Sequence, residues 1–327
     1  MIIHGDALSV VKTIGDETIN CCVTSPPYYN LRDYGVDGQI GLESSPEEYI
    51  QKLVEIFREV RRVLKKDGTL WVNIADSYAG SGKGASNYPD NARKSKQGSN
   101  KGSVGSHLSK TVGTDCKPKD LIGIPWMLAF ALRADGWYLR SDIIWAKPNP
   151  MPESVRDRCT KSHEHIFMLS KNPRYYFDRE SISEPVAEST IKRISQDVEN
   201  QRGSYTPSKG NGNMKAVTRY GGKKYSENPD VFYRTKSGRM YEFRPKRNKR
   251  DVWSVSTKPF KGAHFATFPP DLIEPCVLAG CPVGGVILDP FAGSGTTGMV
   301  AKQHGRDFIL IELNEKYVNL CADRTRN

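Results

Sequence analysis

Two short stretches near opposite ends of a 327-residue chain carry the residue types that could do chemistry. The first is Thr24-Ser25-Pro26-Pro27-Tyr28. It closes an apolar run, Ile19 to Thr24, that reads as a strand. It therefore stands at a strand's carboxyl end, where open α/β sheets place their ligands. Two prolines remove two backbone donors and fix φ, so local carbonyls face outward as rigid acceptors. Ser25 adds a side-chain acceptor. Such acceptors suit the exocyclic amine of a nucleobase, a poor nucleophile because its lone pair is delocalised into the ring. Hydrogen bonds from its protons favour a pyramidal nitrogen whose lone pair can attack, a stabilisation of developing charge by preorganised dipoles. Tyr28 offers a flat face for a flipped-out base, a contact worth ~1–3 kcal/mol. A rigid loop with no chemistry fits the same residues.

The second stretch is Asp289-Pro290-Phe291-Ala292-Gly293-Ser294-Gly295-Thr296-Thr297-Gly298. An apolar run, Val286-Ile287-Leu288, precedes it, and a helix-like stretch from Met299 to His304 follows. Strand, glycine-rich turn and helix in that order bind an adenosine-containing cofactor at a helix N-terminus. A further strand, Phe308-Ile309-Leu310-Ile311, ends in Glu312, 19 residues beyond Gly293. An acid placed there can accept hydrogen bonds from ribose hydroxyls. A plain strand–helix connector would also use these glycines. A P-loop does not fit, because Met299 stands where the phosphate-gripping lysine belongs. In an ordinary dinucleotide-binding domain this unit opens the fold, yet only fifteen residues follow Glu312. The missing strands must lie earlier in the chain, so the fold is permuted.

The positioning elements follow from periodicity. Met1 to His4 reads as a short strand turning at Gly5-Asp6. Residues 46–65 make the clearest helix. Ser45 and Glu48 form a capping box with Pro46 at the first helical position. Tyr49, Ile50, Leu53, Phe57, Val60 and Leu64 then recur at three- and four-residue spacing. Gly68 closes this helix before a strand over 69–74. A helix over 121–134, strands over 138–146 and 165–169, and a helix around 272–279 follow. In spatial order the C-terminal strands come first, those at 1–4, 19–24 and 69–74 continue the sheet, and 138–146 and 165–169 complete it. The expected fold class is α/β, a permuted seven-stranded, mostly parallel, doubly wound, Rossmann-like sheet.

Charge marks the rest. The net charge is +11. Residues 186–250 hold 16 Lys+Arg against 6 Asp+Glu, and residues 77–119 hold 8 against 2, so these two segments carry all the excess. That pattern suits a polyanion-binding surface, with nucleic acid the commonest such partner. Residues 77–119 read as a long polar loop, mobile without its partner. Residues 186–250 read as a module inserted between two parts of a main domain, 1–185 and 251–327. No apolar run approaches the ~20 residues that span a bilayer. The N-terminus lacks the regions of a signal peptide, and seven cysteines without framework spacing read as reduced intracellular thiols.

Together the two motifs resemble the amino-group DNA methyltransferases, in the class whose catalytic Ser/Asp/Asn-Pro-Pro-Tyr motif precedes the cofactor glycines. The resemblance covers nearly all of the chain outside 77–119 and 186–250. His4-Gly5-Asp6 looks like the turn whose acid contacts the cofactor adenine. Trp145-Ala146-Lys147-Pro148-Asn149-Pro150 followed by His163-Glu164-His165 is similar to a segment before the target recognition region of these enzymes. His264-Phe265-Ala266-Thr267-Phe268-Pro269 resembles the stretch lining the methionine end of the cofactor. The resemblance implies S-adenosylmethionine as cofactor, with Asp6, Thr267, Phe268, Asp289, Phe291, Gly293, Gly295, Thr297 and Glu312 around it. It implies that Ser25, Pro26, Pro27 and Tyr28 hold the target base. It implies that residues 186–250 read double-stranded DNA, with Lys246, Arg247, Lys249 and Arg250 on its phosphates. Serine as the first catalytic residue favours the cytosine N4 amine over adenine N6. No metal or covalent intermediate is implied. The expected setting is the cytoplasm, for a prokaryotic or phage-encoded protein associated with the nucleoid. The protein would be a monomer or homodimer, and a paired restriction endonuclease would be its counterpart.

Other constellations weigh less. Pro275-Cys276 looks superficially like a cytosine C5 nucleophile but precedes the cofactor strand, so Cys276 reads as a buried helix residue. His163 and His165 lack partners for a zinc site, and Trp126, Trp137 and Trp145 read as core. A nicotinamide dehydrogenase fits the glycines but explains neither the permutation nor the basic insert. A methyltransferase acting on RNA or a protein amide, and a DNA-binding module with a dead site, are the remaining alternatives.

Overall fold

The structure is a computed structural model that describes residues 1–31, 34–79, 116–189, 232–234, 240–242, 246–258 and 267–326. Most of the polar loop at 77–119, most of the insert at 186–250, and His264 to Ala266 lie outside the described residues. Two compact units divide the chain: 1–181 with 250–327, and 182–249.

The first unit holds one sheet. From edge to edge it runs β1 (Ile2–His4), β12 (Asp307–Glu312), β11 (Val286–Asp289), β2 (Ile19–Thr24), β3 (Leu64–Ile74), β5 (His163–Ser170), β4 (Tyr138–Ala146) and β10 (Val252–Ser254). Only β5 runs against its neighbours; every other pair is parallel. The sheet is the expected permuted α/β one, with β11 of the C-terminal part lying directly against β2 of the N-terminal part.

Two details differ from the sequence reading. An eighth strand, β10, lies in a stretch that reads as a connector. Only Trp253 of its three residues is buried, which is too little alternation to detect. The strand β1 also does not sit between β12 and β2. It pairs outside β12, with Ile2 opposite Leu310 and His4 opposite Glu312. The helix α1 (Ala7–Thr13), with only Ala7 and Val11 buried, carries the chain back toward β2.

Side chains on the parallel strands alternate between faces. Cys22, Leu288 and Ile311 join one core cluster with residues of α1, α2 (Pro46–Val63) and α3 (Ile124–Ala134). Leu310 instead packs with Ala292 and Cys321 of α6 (Glu315–Arg326). On that second face α4 (Pro270–Gly280) packs on α5 (Thr296–Gln303), and α5 on α6. Each sheet face thus has its own helix layer, as a doubly wound fold requires.

The helix α2 shows how sequence builds this layer. The Ser45 Oγ accepts from the Glu48 amide at 3.2 Å, and Pro46 follows it. The Glu48 carboxylate reaches Ser44, not Ser45, accepting from its amide and hydroxyl at 3.1 and 2.7 Å. Tyr49, Ile50, Leu53, Ile56, Phe57, Val60 and Val63 form one buried stripe, each apolar side chain contributing ~1.5–3 kcal/mol. The helix ends at Val63, capped by Leu64, before the expected stop at Gly68.

Trp137 and Trp145 are buried as expected, whereas Trp126 is 39% exposed. Its ring nonetheless packs edge-on against β5, 5.3 Å from that of Phe167 and 5.8 Å from that of His165. Cys276 is buried in α4. No described helix is long and apolar enough to cross a membrane. In the second unit β6 (Glu184–Pro185) pairs with β9 (Lys246–Arg247), and β7 (Phe232–Arg234) with β8 (Met240–Glu242).

Candidate active site

Five parallel strands, β1, β12, β11, β2 and β3, deliver their carboxyl ends to one edge of the sheet. Register aligns them: His4 lies opposite Glu312, Asp289 opposite Leu310, and Thr24 opposite Val72. A cleft opens along this edge. Ser25, Pro26, Pro27 and Tyr28 line it. So do Phe291, Gly293 and Glu312, and so do Asp6, Thr267 and Phe268. Residues from the two ends of the sequence therefore face one space.

Three predicted cofactor residues do not line this cleft: Asp289, Gly295 and Thr297. They hold the turn from beneath. Asp289 is 1% exposed. Its carboxylate accepts from the Thr24 hydroxyl at 2.6 Å, the Thr297 hydroxyl at 2.6 Å and the Phe291 amide at 3.0 Å. Burial pushes this carboxyl up to about 6, against the pull of those three donors. Gly295 has φ +76° and caps α5, and a Cβ there would lie 3.0 Å from the Cα of Cys321. From α6, Arg324 donates to the Ser294 carbonyl at 3.0 Å and the Thr296 hydroxyl at 3.0 Å.

Glu312 closes the turn from the neighbouring strand. Its two carboxylate oxygens accept from the Gly293 and Asn314 amides, each at 2.8 Å. Burial raises this carboxyl above the ordinary glutamate value. Each oxygen has a second lone pair, so the carboxylate can accept further from a pair of hydroxyls. Asp6 caps α1 through Oδ1, which accepts from the Ser9 amide at 2.8 Å.

The Ser-Pro-Pro-Tyr turn is pinned at several points. The Pro27 carbonyl, read in the sequence as an outward acceptor, is taken by the Tyr49 hydroxyl of α2 at 2.8 Å. Ser25 and Pro26 also line the cleft. The Ser25 hydroxyl lies 3.5 Å from the Tyr28 hydroxyl. Tyr28 in turn donates to Glu164 Oε2 at 2.6 Å, far shorter than its 3.2 Å approach to Asn73 Oδ1. Burial and the adjacent carboxylate push the Tyr28 hydroxyl well above its usual pKa.

Sequence reasoning missed Glu164 and Asn73 here, and also Leu31, Tyr34, Asn314 and Tyr317 along the cleft. Glu164 lies in the His163-Glu164-His165 segment noted for its resemblance, with no role given to the acid itself. No periodic signal marks a lone acid on a buried strand.

Of the four basic residues expected on DNA, Lys246 and Arg247 form β9. Arg247 and Lys249 stand 3.5 and 3.6 Å from Glu184, and Lys246 and Arg250 are exposed.

A family model described as DNA methylase matches residues 19–323. The Type II methyltransferase M.Cfr9I of Citrobacter freundii is 44% identical over 99% of this chain and 86% of its own length. The Type II methyltransferase M.SmaI of Serratia marcescens is 44% identical over 99% and 89%. Among solved structures, a PvuII DNA methyltransferase described as cytosine-N4-specific superposes with a TM-score of 0.59 at 16% identity. That match covers 100% of this chain and 86% of the other. A putative DNA modification methylase from Thermus thermophilus, complexed with S-adenosyl-L-methionine, gives 0.56 at 20% identity, over 99% and 92%. At such identities the structural likeness speaks for the fold alone.

Proposed function

The chain belongs to the DNA methylase family, and from that we propose that it transfers a methyl group from S-adenosylmethionine to the N4 amine of a cytosine flipped out of double-stranded DNA. One observation carries the reading: Ser25 to Tyr28 and the turn from Phe291 to Gly293 line one cleft. A donor site and an acceptor site are thereby within reach of each other.

The residues present suit the cofactor. The Glu312 carboxylate, steadied by two backbone amides, suits the two ribose hydroxyls. Phe291 and Phe268 offer apolar faces, and Gly293 admits close approach of its backbone. Asp6 would reach the adenine and Thr267 the methionine end. S-adenosylmethionine supplies an electrophilic methyl group on a sulfonium sulfur. The chain's own part is to orient the acceptor. The Ser25 Oγ and the Pro26 carbonyl would accept hydrogen bonds from the two amine N–H groups and direct the nitrogen lone pair along the line of displacement; as the new N–C bond forms the C–S bond breaks, and the methylated nitrogen then gives up one proton to solvent. Tyr28 stacks on the base. Asp289, Gly295 and Thr297 act one layer below, keeping the turn in shape.

Ser25 at the head of the motif favours cytosine N4; adenine N6 is the alternative outcome. A paired restriction endonuclease and a cytoplasmic setting belong to the same proposal. The basic insert, whose charge suits phosphates, would read the duplex, and the protein would act as a monomer or homodimer. Incubation with tritiated S-adenosylmethionine and equal masses of duplex DNA and structured RNA tests the substrate. Label in the DNA alone is expected; label in the RNA, or in neither, contradicts the reading.

A further inference from the structure

A buried carboxylate stands at the hydroxyl end of Tyr28 and does not line the cleft. Glu164, on β5, is 8% exposed. Its Oε2 accepts from the Tyr28 hydroxyl at 2.6 Å and from Asn73 Nδ2 at 3.1 Å. Its Oε1 is ion-paired with Lys147, whose ammonium lies 4.3 Å from the centroid of the Trp145 ring. Asn73 is fixed as well, donating to the His165 carbonyl at 3.2 Å. Tyr28 lines the cleft, whereas Glu164, Asn73 and Lys147 do not.

Three strands thus contribute to one small network, Asn73 from β3, Glu164 from β5 and Lys147 just beyond β4. It reaches the cleft through Tyr28, whose hydroxyl also lies 3.5 Å from that of Ser25 on the cleft wall. Burying an ion pair is a poor way to gain stability, since well-packed apolar residues serve as well or better. What the network does supply is direction. A tyrosine ring can turn about two side-chain bonds. A short charge-assisted bond at its far end fixes where that end lies, and so the first of these torsions, and it biases the second through the in-plane preference of the O–H. The same bond engages the one proton of the hydroxyl, so Tyr28 meets a ligand through its ring face.

We propose that Glu164 is a positioning residue for methyl transfer, which holds the Tyr28 ring in the place where it receives the flipped base, with Lys147 and Asn73 locking Glu164 in turn. This rests on the reading that Tyr28 faces the acceptor base. It assigns a task to a residue outside both sequence motifs.

The test is a double-mutant cycle on the full-length protein: Glu164→Gln, Tyr28→Phe and the pair. Single-turnover transfer to unmethylated genomic DNA is measured beside S-adenosylmethionine affinity by calorimetry. Each single variant should lose about 10- to 100-fold in rate while cofactor Kd stays within about twofold, and the pair should be no slower than the slower single variant. A general structural role for Glu164 would instead make the two losses multiply, because Tyr28→Phe removes one oxygen and no packing. Multiplying losses, or a Glu164→Gln variant within about twofold of the wild-type rate, overturns the assignment. If Glu164→Gln does not fold, Tyr28→Phe decides: full rate overturns the assignment, and slow transfer with intact cofactor affinity supports it. A wild-type protein that transfers no methyl group to any DNA removes the underlying reading and this assignment together, which separates the two failures.

Discussion

Thr24 donates a 2.6 Å hydrogen bond to Asp289 across 265 residues of sequence. Thr24 directly precedes the Ser-Pro-Pro-Tyr turn, and Asp289 opens the glycine-rich one. One buried carboxylate thereby joins the ends of β2 and β11. It also holds Thr297 at the start of α5. The two turns that line the cleft are tied together through this group, beside the direct pairing of β2 with β11, so distortion of either turn would be felt by the other.

The Asp289 carboxyl sits at about 6 in the fold against an ordinary 3.8. For an acid whose pKa rises on folding, the folded state holds the proton more tightly. Its contribution to stability is complete below the unfolded value and is lost as pH climbs through the folded one. Stability from this site should therefore fall between about pH 4 and pH 6, by roughly 3 kcal/mol in all. Asp289→Asn keeps the shape and removes the titration. Denaturant unfolding at stepped pH should show that fall in the wild type and its absence in the variant. Matching profiles would contradict the assignment.

On the proposed function, Ser25→Ala removes an acceptor for the amine, and Tyr28→Ala removes the stacking face. Each should lower single-turnover methylation by about 100-fold or more, the scale of losing one preorganised hydrogen-bonding group. Neither side chain supports the glycine turn, so calorimetric S-adenosylmethionine affinity should change little. Variants that keep full rate would show that the catalytic turn lies elsewhere.

Glu312→Gln should weaken S-adenosylmethionine binding by about tenfold, as a charged acceptor is exchanged for a neutral one. Because burial raises the Glu312 carboxyl, its protonation begins at a higher pH than for an exposed glutamate. Wild-type affinity should accordingly decline as pH falls, while the variant's stays flat. Calorimetric titration across pH checks both.

The +11 net charge and its concentration in the insert imply binding dominated by phosphates. Replacing Lys246 and Arg250 with alanine should reduce the slope of log affinity against log salt by about 0.9 for each phosphate left without its cation. Cofactor affinity should be unaffected. An unchanged slope would assign phosphate binding to other residues.

Both turns of the site were legible in the sequence because each is spelled by residues with few other uses in such order, glycines after an apolar strand and two prolines before a tyrosine. Their order along the chain made the permutation readable as well. Direction was not legible. Spacing says that Asp289 and Thr297 belong to the glycine turn, but not that their side chains point down into the core. The Pro27 carbonyl reads as free in the sequence, yet Tyr49, 22 residues on, donates to it. The helix α1 and strand β10 escape notice because seven and three residues are too few to show a period. Glu164 is inconspicuous for a related reason. Its importance lies in Tyr28, 136 positions away, and no local pattern encodes that distance.

The most direct test is mass spectrometry of nucleosides from unmethylated DNA treated with the protein and S-adenosylmethionine. N4-methylcytosine is expected with the wild type and its near absence with Ser25→Ala. Methylation confined to adenine N6 would contradict the cytosine assignment, and DNA left unmethylated by a protein that binds the cofactor would contradict the central claim.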